Sequence, residues 1–293
     1  MITTKLTGNL GNHIAYYVSV RAIAEKLGYS WGFDPIPSYD YYNGAQQMSF
    51  MNIDYGEFPN NIQNTYKELE LRYNDHGDNV DVRPFDENVF NIVDDSELFG
   101  VFQAPEYFYD RISDVKKWLS IKDEVINEAK SLITLDDNTC LINFRGGEYK
   151  HHPGLIIRAE YYHRCIERMR EINPEMKFIV ITDDVECATQ YLPGFPIHHF
   201  SIAIDYTLLN QTKYAILSNS SFPIFAMLTN ENIKKVIAPY CWARWNGSEG
   251  YWATAQNIYP GWSYLDRDGV VKDYEQCKAE ALNWLNTYRG KLT

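Results

Sequence analysis

From residue 139 onward, short apolar runs alternate with helical segments so regularly that a parallel sheet covered by helices is the architecture they fit. The runs 139–144, 177–182, 197–200, 214–218 and 234–238 read as strands, with helices at 159–172, 184–191, 205–212 and 221–229 between them. Cys140-Leu141-Ile142-Asn143-Phe144 is apolar enough to be buried on both faces, then ends abruptly in Arg145-Gly146-Gly147-Glu148-Tyr149. A strand of this kind delivers one permanent positive charge to the carboxyl edge of the sheet, where open α/β sheets bind their ligands. The two glycines let a bulky anion, a phosphate first of all, approach the backbone. The alternative is that Arg145 pairs with an acidic neighbour at the strand end.

The first half is less regular. Ile2 to Thr7 reads as a strand, followed by the turn Gly8-Asn9-Leu10-Gly11-Asn12-His13 and a helix from Ile14 to Leu27, where Ile14, Val18 and Ala22 repeat at helical spacing. Gly28 stands where a C-terminal cap belongs. The turn resembles a phosphate cradle but is not G-x-G-x-x-G, so it is a weak dinucleotide signal. Tyr29 to Phe33 reads as a second strand. Residues 34–88 read as long loops with one short helix at 62–73, and Tyr39, Tyr41 and Tyr42 could floor a sugar site there. Phe90 to Val93 reads as a strand, and helical segments run on to Ile133. Asp136-Asp137-Asn138 breaks the pattern. The expected division is an N-terminal α/β domain at 1–136, a C-terminal ligand-binding domain at 137–265, and a segment at 266–293 whose helix, Tyr274 to Tyr288, packs back on the first domain.

Composition excludes several function classes. The 293 residues suffice for two cores. A net charge of −12, from 27 basic and 39 acidic residues, argues against duplex nucleic acid or an anionic membrane as partner. No apolar run is long enough to span a bilayer, and Met1 to Thr7 lacks a signal-peptide core, so the chain reads as cytoplasmic or as a piece separated from its anchor. Five separated cysteines without C-x-x-C read as reduced thiols. The 23 Tyr and 7 Trp suit sugar faces. His151-His152 and His198-His199 are adjacent pairs that cannot both face one ion, and Asp266-Arg267-Asp268 leads into Gly269 as a hairpin turn. No metal site is expected.

Further stretches fall at strand ends of the second half. Thr182-Asp183-Asp184 closes one strand, Asp205 opens a helix, and Ser218-Asn219-Ser220-Ser221-Phe222-Pro223 runs from strand into helix. Ser220 or Ser221 caps that helix, where free N–H groups and the helix dipole favour an anion.

In this order the motifs resemble the α-1,2-fucosyltransferases of glycosyltransferase family 11. The family's Gly-Leu-Gly-Asn-Gln turn is matched by Asn9-Leu10-Gly11-Asn12-His13, and its Gly-Tyr-Phe-Gln segment by Gly100-Val101-Phe102-Gln103. Its His-x-Arg-Arg-Gly-Asp-Tyr motif is matched by Asn143 to Tyr149, its Ser-Asp-Asp strand end by Thr182-Asp183-Asp184, its Asn-Ser-Ser-Phe turn by Asn219 to Phe222, and its Val-Ile-Ala-Pro strand by Val236 to Pro239. The match covers most of the chain outside 34–88. Asn143 stands for the histidine, Gly146 for the second arginine and Glu148 for the aspartate, while Arg145 keeps the first arginine.

The resemblance implies a GT-B-like pair of Rossmann-like domains that carry out inverting transfer of fucose from GDP-fucose to a glycan hydroxyl, without metal or other cofactor. Arg145 with Ser220, Ser221 and Phe222 would hold the diphosphate, Asp205 would accept from guanine N1–H and N2, and Asn143 would lie beside the base. Glu148, where the family has an aspartate, would be the catalytic base, the alternative being an ion pair with Arg145 or Lys150, and Arg145 would stabilise the departing diphosphate. Asn9, Gly11, Asn12 and His13 would form the acceptor or interdomain loop. The alternatives are another GDP-sugar or linkage on the same fold, or a nucleotide- or glycan-binding protein without turnover.

Overall fold

The computed structural model describes residues 1–35, 47–75, 78–152, 154–240, 242, 245 and 257–288. Tyr39, Tyr41, Tyr42 and Trp252 lie outside the described residues. The chain divides into two compact units, the first running from Met1 to Lys122 and the second beginning at Asp123.

In the first unit, β1 (Ile2–Thr3), β2 (Asn64–Lys67) and β5 (Ser96–Phe99) form a parallel sheet in the order β1-β5-β2. β3 (Leu71–Asp75) and β4 (Asp78–Val82) make a separate antiparallel pair. Helix α1 (Leu10–Leu27) is buried on nearly every side through Ala24 and stops at Gly28, whose φ of 74° suits a left-handed cap. The helix begins earlier than its apolar spacing indicates, because the glycine-containing turn supplies its first residues. The segment expected as a second strand reduces to two isolated bridges, Trp31 with Ile2 and Gly32 with Gly56. The helix expected at 62–73 is instead β2 and β3: pairing of Asn64–Lys67 with Ser96–Phe99 overrides local preference. The strand expected at 90–93 is replaced by a 3-10 helix at Glu87–Asn91, whose start is capped by the Asp86 side chain accepting from Asn88 N at 3.2 Å. A short helix, α2 (Ile112–Trp118), follows.

The second unit opens with α3 (Asp123–Leu132) and carries β6 (Thr139–Phe144), α4 (Ala159–Ile172), β7 (Lys177–Thr182), α5 (Val185–Tyr191), β8 (Ile197–His198), α6 (Ile202–Gln211), β9 (Tyr214–Ile216), α7 (Phe222–Leu228) and β10 (Lys235–Pro239). β11 (Ser263–Leu265), β12 (Val271–Lys272) and α8 (Tyr274–Tyr288) complete it. The sheet order is β12-β11-β10-β9-β6-β7-β8, parallel except for β12. Every residue of β6 is buried, as expected of a central parallel strand. The turn at Asp266 is a hairpin: Asp266 Oδ1 accepts from Asp268 N at 2.9 Å and Val270 N at 2.8 Å, and Gly269 has φ of 82°.

Two boundaries differ from expectation. The units part at Lys122, not at 136, because α3 packs on α6. Asp136-Asp137-Asn138 is a turn inside the second unit, where Asp136 pairs with Lys177 at 3.2 Å and Asn138 O accepts from Lys177 N at 2.7 Å. Helix α8, expected on the first unit, groups with the second and packs on β11; Glu280 pairs with Lys272 at 2.9 Å. Among the described residues no helix is long and apolar enough to cross a membrane.

Candidate active site at the carboxyl edge of the second sheet

Successive strands run outward from β6 to β7 and β8, then resume on the other side of β6 with β9, β10 and β11. The order therefore reverses between β6 and β9, and the carboxyl ends of that strand pair flank the crevice where open α/β sheets place ligands. Asn143 lies near the end of β6 and Ser218 just beyond β9. Both are buried, and Ser218 Oγ donates to Asn143 Oδ1 at 2.7 Å, so a polar pair tied by hydrogen bonding marks the switch point. From below, the buried Tyr161 of α4 donates to Leu217 O at 2.7 Å and fixes the β9 side.

Arg145 follows β6 but does not present an uncommitted charge. Its Nη1 pairs with Asp183 at the end of β7, its Nη2 lies 3.5 Å from Glu148, and its guanidinium sits 5.4 Å from the Tyr149 ring centroid. Asp183 also accepts from Gly146 N at 2.8 Å. The acidic-neighbour alternative is thus the observed arrangement. The glycines have a reason other than room for an anion: a Cβ on Gly146 would stand 2.8 Å from Asp184 Cβ, and one on Gly147 would collide with the Asp183 carboxylate. Asp184 caps α5 by accepting from Cys187 N at 3.0 Å, which holds its carboxyl below the usual range, and pairs with Lys150 at 3.2 Å.

The expected anion cradle at the start of α7 is also occupied. Phe222 N donates to Ser220 Oγ at 3.3 Å, Pro223 has no N–H, and Ile224 N donates to Ser221 O at 3.3 Å. Ser221 occupies the cap position without a side-chain cap bond. Phe222 meets Tyr206 edge-on at 5.9 Å, linking this turn to α6.

Asp205 lies in the first turn of α6, inside the helix that Ser201 caps rather than at its opening. Its carboxylate is buried, accepting from Phe200 N at 3.1 Å and facing His199 Nδ1 at 3.1 Å. Burial pushes its pKa up to about 6 despite these contacts, and the charge of Asp183 adds to the rise. His199, which the sequence does not distinguish from its neighbour His198, joins the candidate site through its contact with Asp205. The two part just past the end of β8: His198 stacks on Phe200 at 5.5 Å, while His199 faces Asp205. Tyr149 and Asn219 were visible only as motif members. Here Tyr149 Oη donates to Asn219 O at 3.2 Å, and burial holds the phenol neutral. Glu148 is largely exposed, its side chain 58% accessible.

In the first unit, Asn9 occupies the cap position of α1 without a side-chain cap bond, and Gly11, Asn12 and His13 lie in the first helical turn. His13 Nε2 lies 2.9 Å from Gly8 O, and Asn12 Oδ1 accepts from Gln103 Nε2 at 3.2 Å. The two motifs from opposite ends of this unit therefore meet. Among the described residues no three His, Cys, Asp or Glu side chains gather where a metal could be held.

No protein-family model matches the chain. An O-antigen biosynthesis glycosyltransferase of Escherichia coli, WbnK, is 24% identical over 164 residues, which is 50% of this chain and 54% of that protein. The match thus spans about half the length of the curated relative. Among solved structures, the fucosyltransferase NodZ from Bradyrhizobium aligns over 80% of this chain and 94% of its own at 11% identity with a TM-score of 0.48. POFUT1 in complex with GDP aligns over 81% and 97% at 10% identity with a TM-score of 0.47.

Proposed function

We propose that the chain is a glycosyltransferase whose second unit binds GDP-fucose at the carboxyl edge of its sheet and passes fucose, with inversion and without metal, to a hydroxyl of an oligosaccharide or glycan acceptor. In this reading the protein is GT-B-like, the linkage is α-1,2 and the family is the fucosyltransferase family 11 that its motifs resemble. The observation that carries it is the meeting of Asn143, Arg145, Ser218 and Asp183 around the switch point, with buried Asp205 within electrostatic reach of Asp183. The resemblance to an O-antigen glycosyltransferase supports glycan chemistry.

The roles in this reading are those the resemblance implies, fitted to the observed contacts. Asp183 grips one edge of the Arg145 guanidinium, and the long 3.5 Å contact of the other edge with Glu148 is the one a diphosphate displaces. A guanidinium oriented in advance stabilises the charge that grows on departing GDP more than the charge of bound donor. Asp205 has two oxygens with lone pairs beyond those used by Phe200 N and His199, so it accepts from the N1–H and N2 of guanine. Asn143 lies beside the base, and Ser220, Ser221 and Phe222 close the phosphate side after the Phe222 N–H leaves Ser220. Glu148 takes the acceptor proton, and Asn9, Gly11, Asn12 and His13 serve the acceptor.

The test is transfer of radiolabelled fucose from GDP-fucose to a panel of galactose-terminated oligosaccharides, in parallel with other GDP- and UDP-sugars. Labelled product from GDP-fucose alone supports the reading. Product from a different GDP-sugar replaces the donor sugar, and GDP affinity without turnover on any acceptor points to a binding protein.

A further inference from the structure

The loop that carries Arg145 and Glu148 leaves β6, makes a 3-10 turn at Gly147–His151 and continues to Leu155. Its backbone bonds at Lys150 N to Gly146 O (3.1 Å), His152 N to Tyr149 O (2.8 Å) and Leu155 N to His152 O (2.8 Å) are local, closing the loop on itself. On the β7 side the loop is anchored by Arg145 and Gly146 N on Asp183 and by Lys150 on Asp184 at 3.2 Å.

Asn219 supplies the anchor on the opposite side, from the end of β9. It follows Ser218 in the turn between β9 and α7 and is 3% exposed. Its backbone carbonyl accepts from Tyr149 Oη at 3.2 Å, near the start of the loop, and its side-chain Nδ2 donates to Leu155 O at 2.8 Å, near the end. One residue thus clamps the loop at two places. Between them lie Lys150 and His151, and just before them Glu148. Tyr149 also lies under the Arg145 guanidinium, so the clamp reaches the arginine through that ring. The amide orientation is determined, because the reverse would set an oxygen against the Leu155 carbonyl. In this orientation Asn219 Oδ1 is buried without a hydrogen-bond partner. The Nδ2 bond to Leu155 is therefore what this side chain contributes to the loop. A residue present for packing alone would be better as an apolar one.

We infer that Asn219 is a positioning residue: it holds the 147–155 loop, and with it the Arg145 guanidinium and the Glu148 carboxylate, in the geometry that meets the donor. The functional half of this inference rests on the reading that a diphosphate binds at Arg145.

The experiment combines hydrogen exchange by mass spectrometry with GDP titration calorimetry on the full chain, for the parent, N219A, R145A, the N219A/R145A double variant and Y149F. Exchange in peptides covering 146–155 should rise about tenfold or more in N219A, while peptides covering 139–144 and 177–182 keep the parent's rates. GDP affinity should fall about tenfold in N219A. In the R145A background the same change should alter affinity by less than about twofold, because a residue that acts through Arg145 has nothing left to position. Unchanged exchange over 146–155, or an equal loss of affinity in both backgrounds, overturns the inference. N219A removes only the Leu155 bond. Y149F keeps the ring under Arg145 and removes only the 3.2 Å bond to the Asn219 backbone carbonyl, so it tests the second clamp point whether or not N219A folds. Y149F must raise exchange over 147–151, and parent-like rates there overturn the inference as well. If the parent itself does not bind GDP, the donor reading fails while the exchange measurements still decide whether Asn219 holds the loop.

Discussion

Asp205 shows what a buried carboxylate costs a fold. Its folded pKa of about 6 lies above the ordinary aspartate value of 3.8, so between these values the folded chain keeps a proton that the unfolded chain has released. Stability therefore falls as pH rises across that window, by roughly 2–3 kcal/mol in total for a shift of this size. Asp205→Asn should flatten the fall and raise the urea midpoint at pH 7, while weakening GDP and leaving weak UDP binding as it was. A variant that loses stability along with GDP would make Asp205 structural. Arg145→Lys should lose donor affinity severely, since an ammonium cannot keep Asp183 on one edge and phosphate on the other. Calorimetry with GDP measures this, and an affinity equal to the parent's removes Arg145 from the site. Glu148→Gln should retain GDP affinity while turnover drops by roughly 10²–10⁴-fold, the usual scale for a lost proton acceptor. Near-normal turnover would move the base elsewhere.

At the scale of elements, the second unit was readable because parallel strands buried on both faces leave a continuous apolar signature. β6, β7, α4 and α8 have the expected limits. The first unit was not, since β2 takes its conformation from a partner about thirty residues away and carries little apolar pattern, its Thr65 and Lys67 being exposed. The residues of the candidate site were legible one by one, but not their pairing. The sequence places Arg145 and Asp183 at strand ends, yet only the adjacency of β6 and β7 brings them together, and that adjacency also explains Gly146 and Gly147. Gly147→Ala should therefore push the Asp183 carboxylate off Arg145 and destabilise the protein by about 1–3 kcal/mol, the range for an overpacked site. Urea unfolding reads the cost. An unchanged midpoint would mean that the strand end yields freely and that the Arg145–Asp183 pair holds little.

At the scale of the whole molecule, the surplus of acidic residues means that an anionic donor is attracted by a few placed groups and not by a general field. Donor binding should accordingly depend on salt far less than binding to a basic surface does. Activity should persist in excess chelator, and loss restored by Mn²⁺ or Mg²⁺ would contradict the metal-free mechanism proposed here. The most direct test of the central claim, that the carboxyl edge of the second unit's sheet is a guanine nucleotide site, is calorimetric titration of the parent, R145K and D205N with GDP and with UDP. The account predicts that the parent binds GDP well above UDP, that R145K loses both, and that D205N loses the preference for GDP. A parent that binds neither, or variants whose two affinities match the parent's, would contradict it.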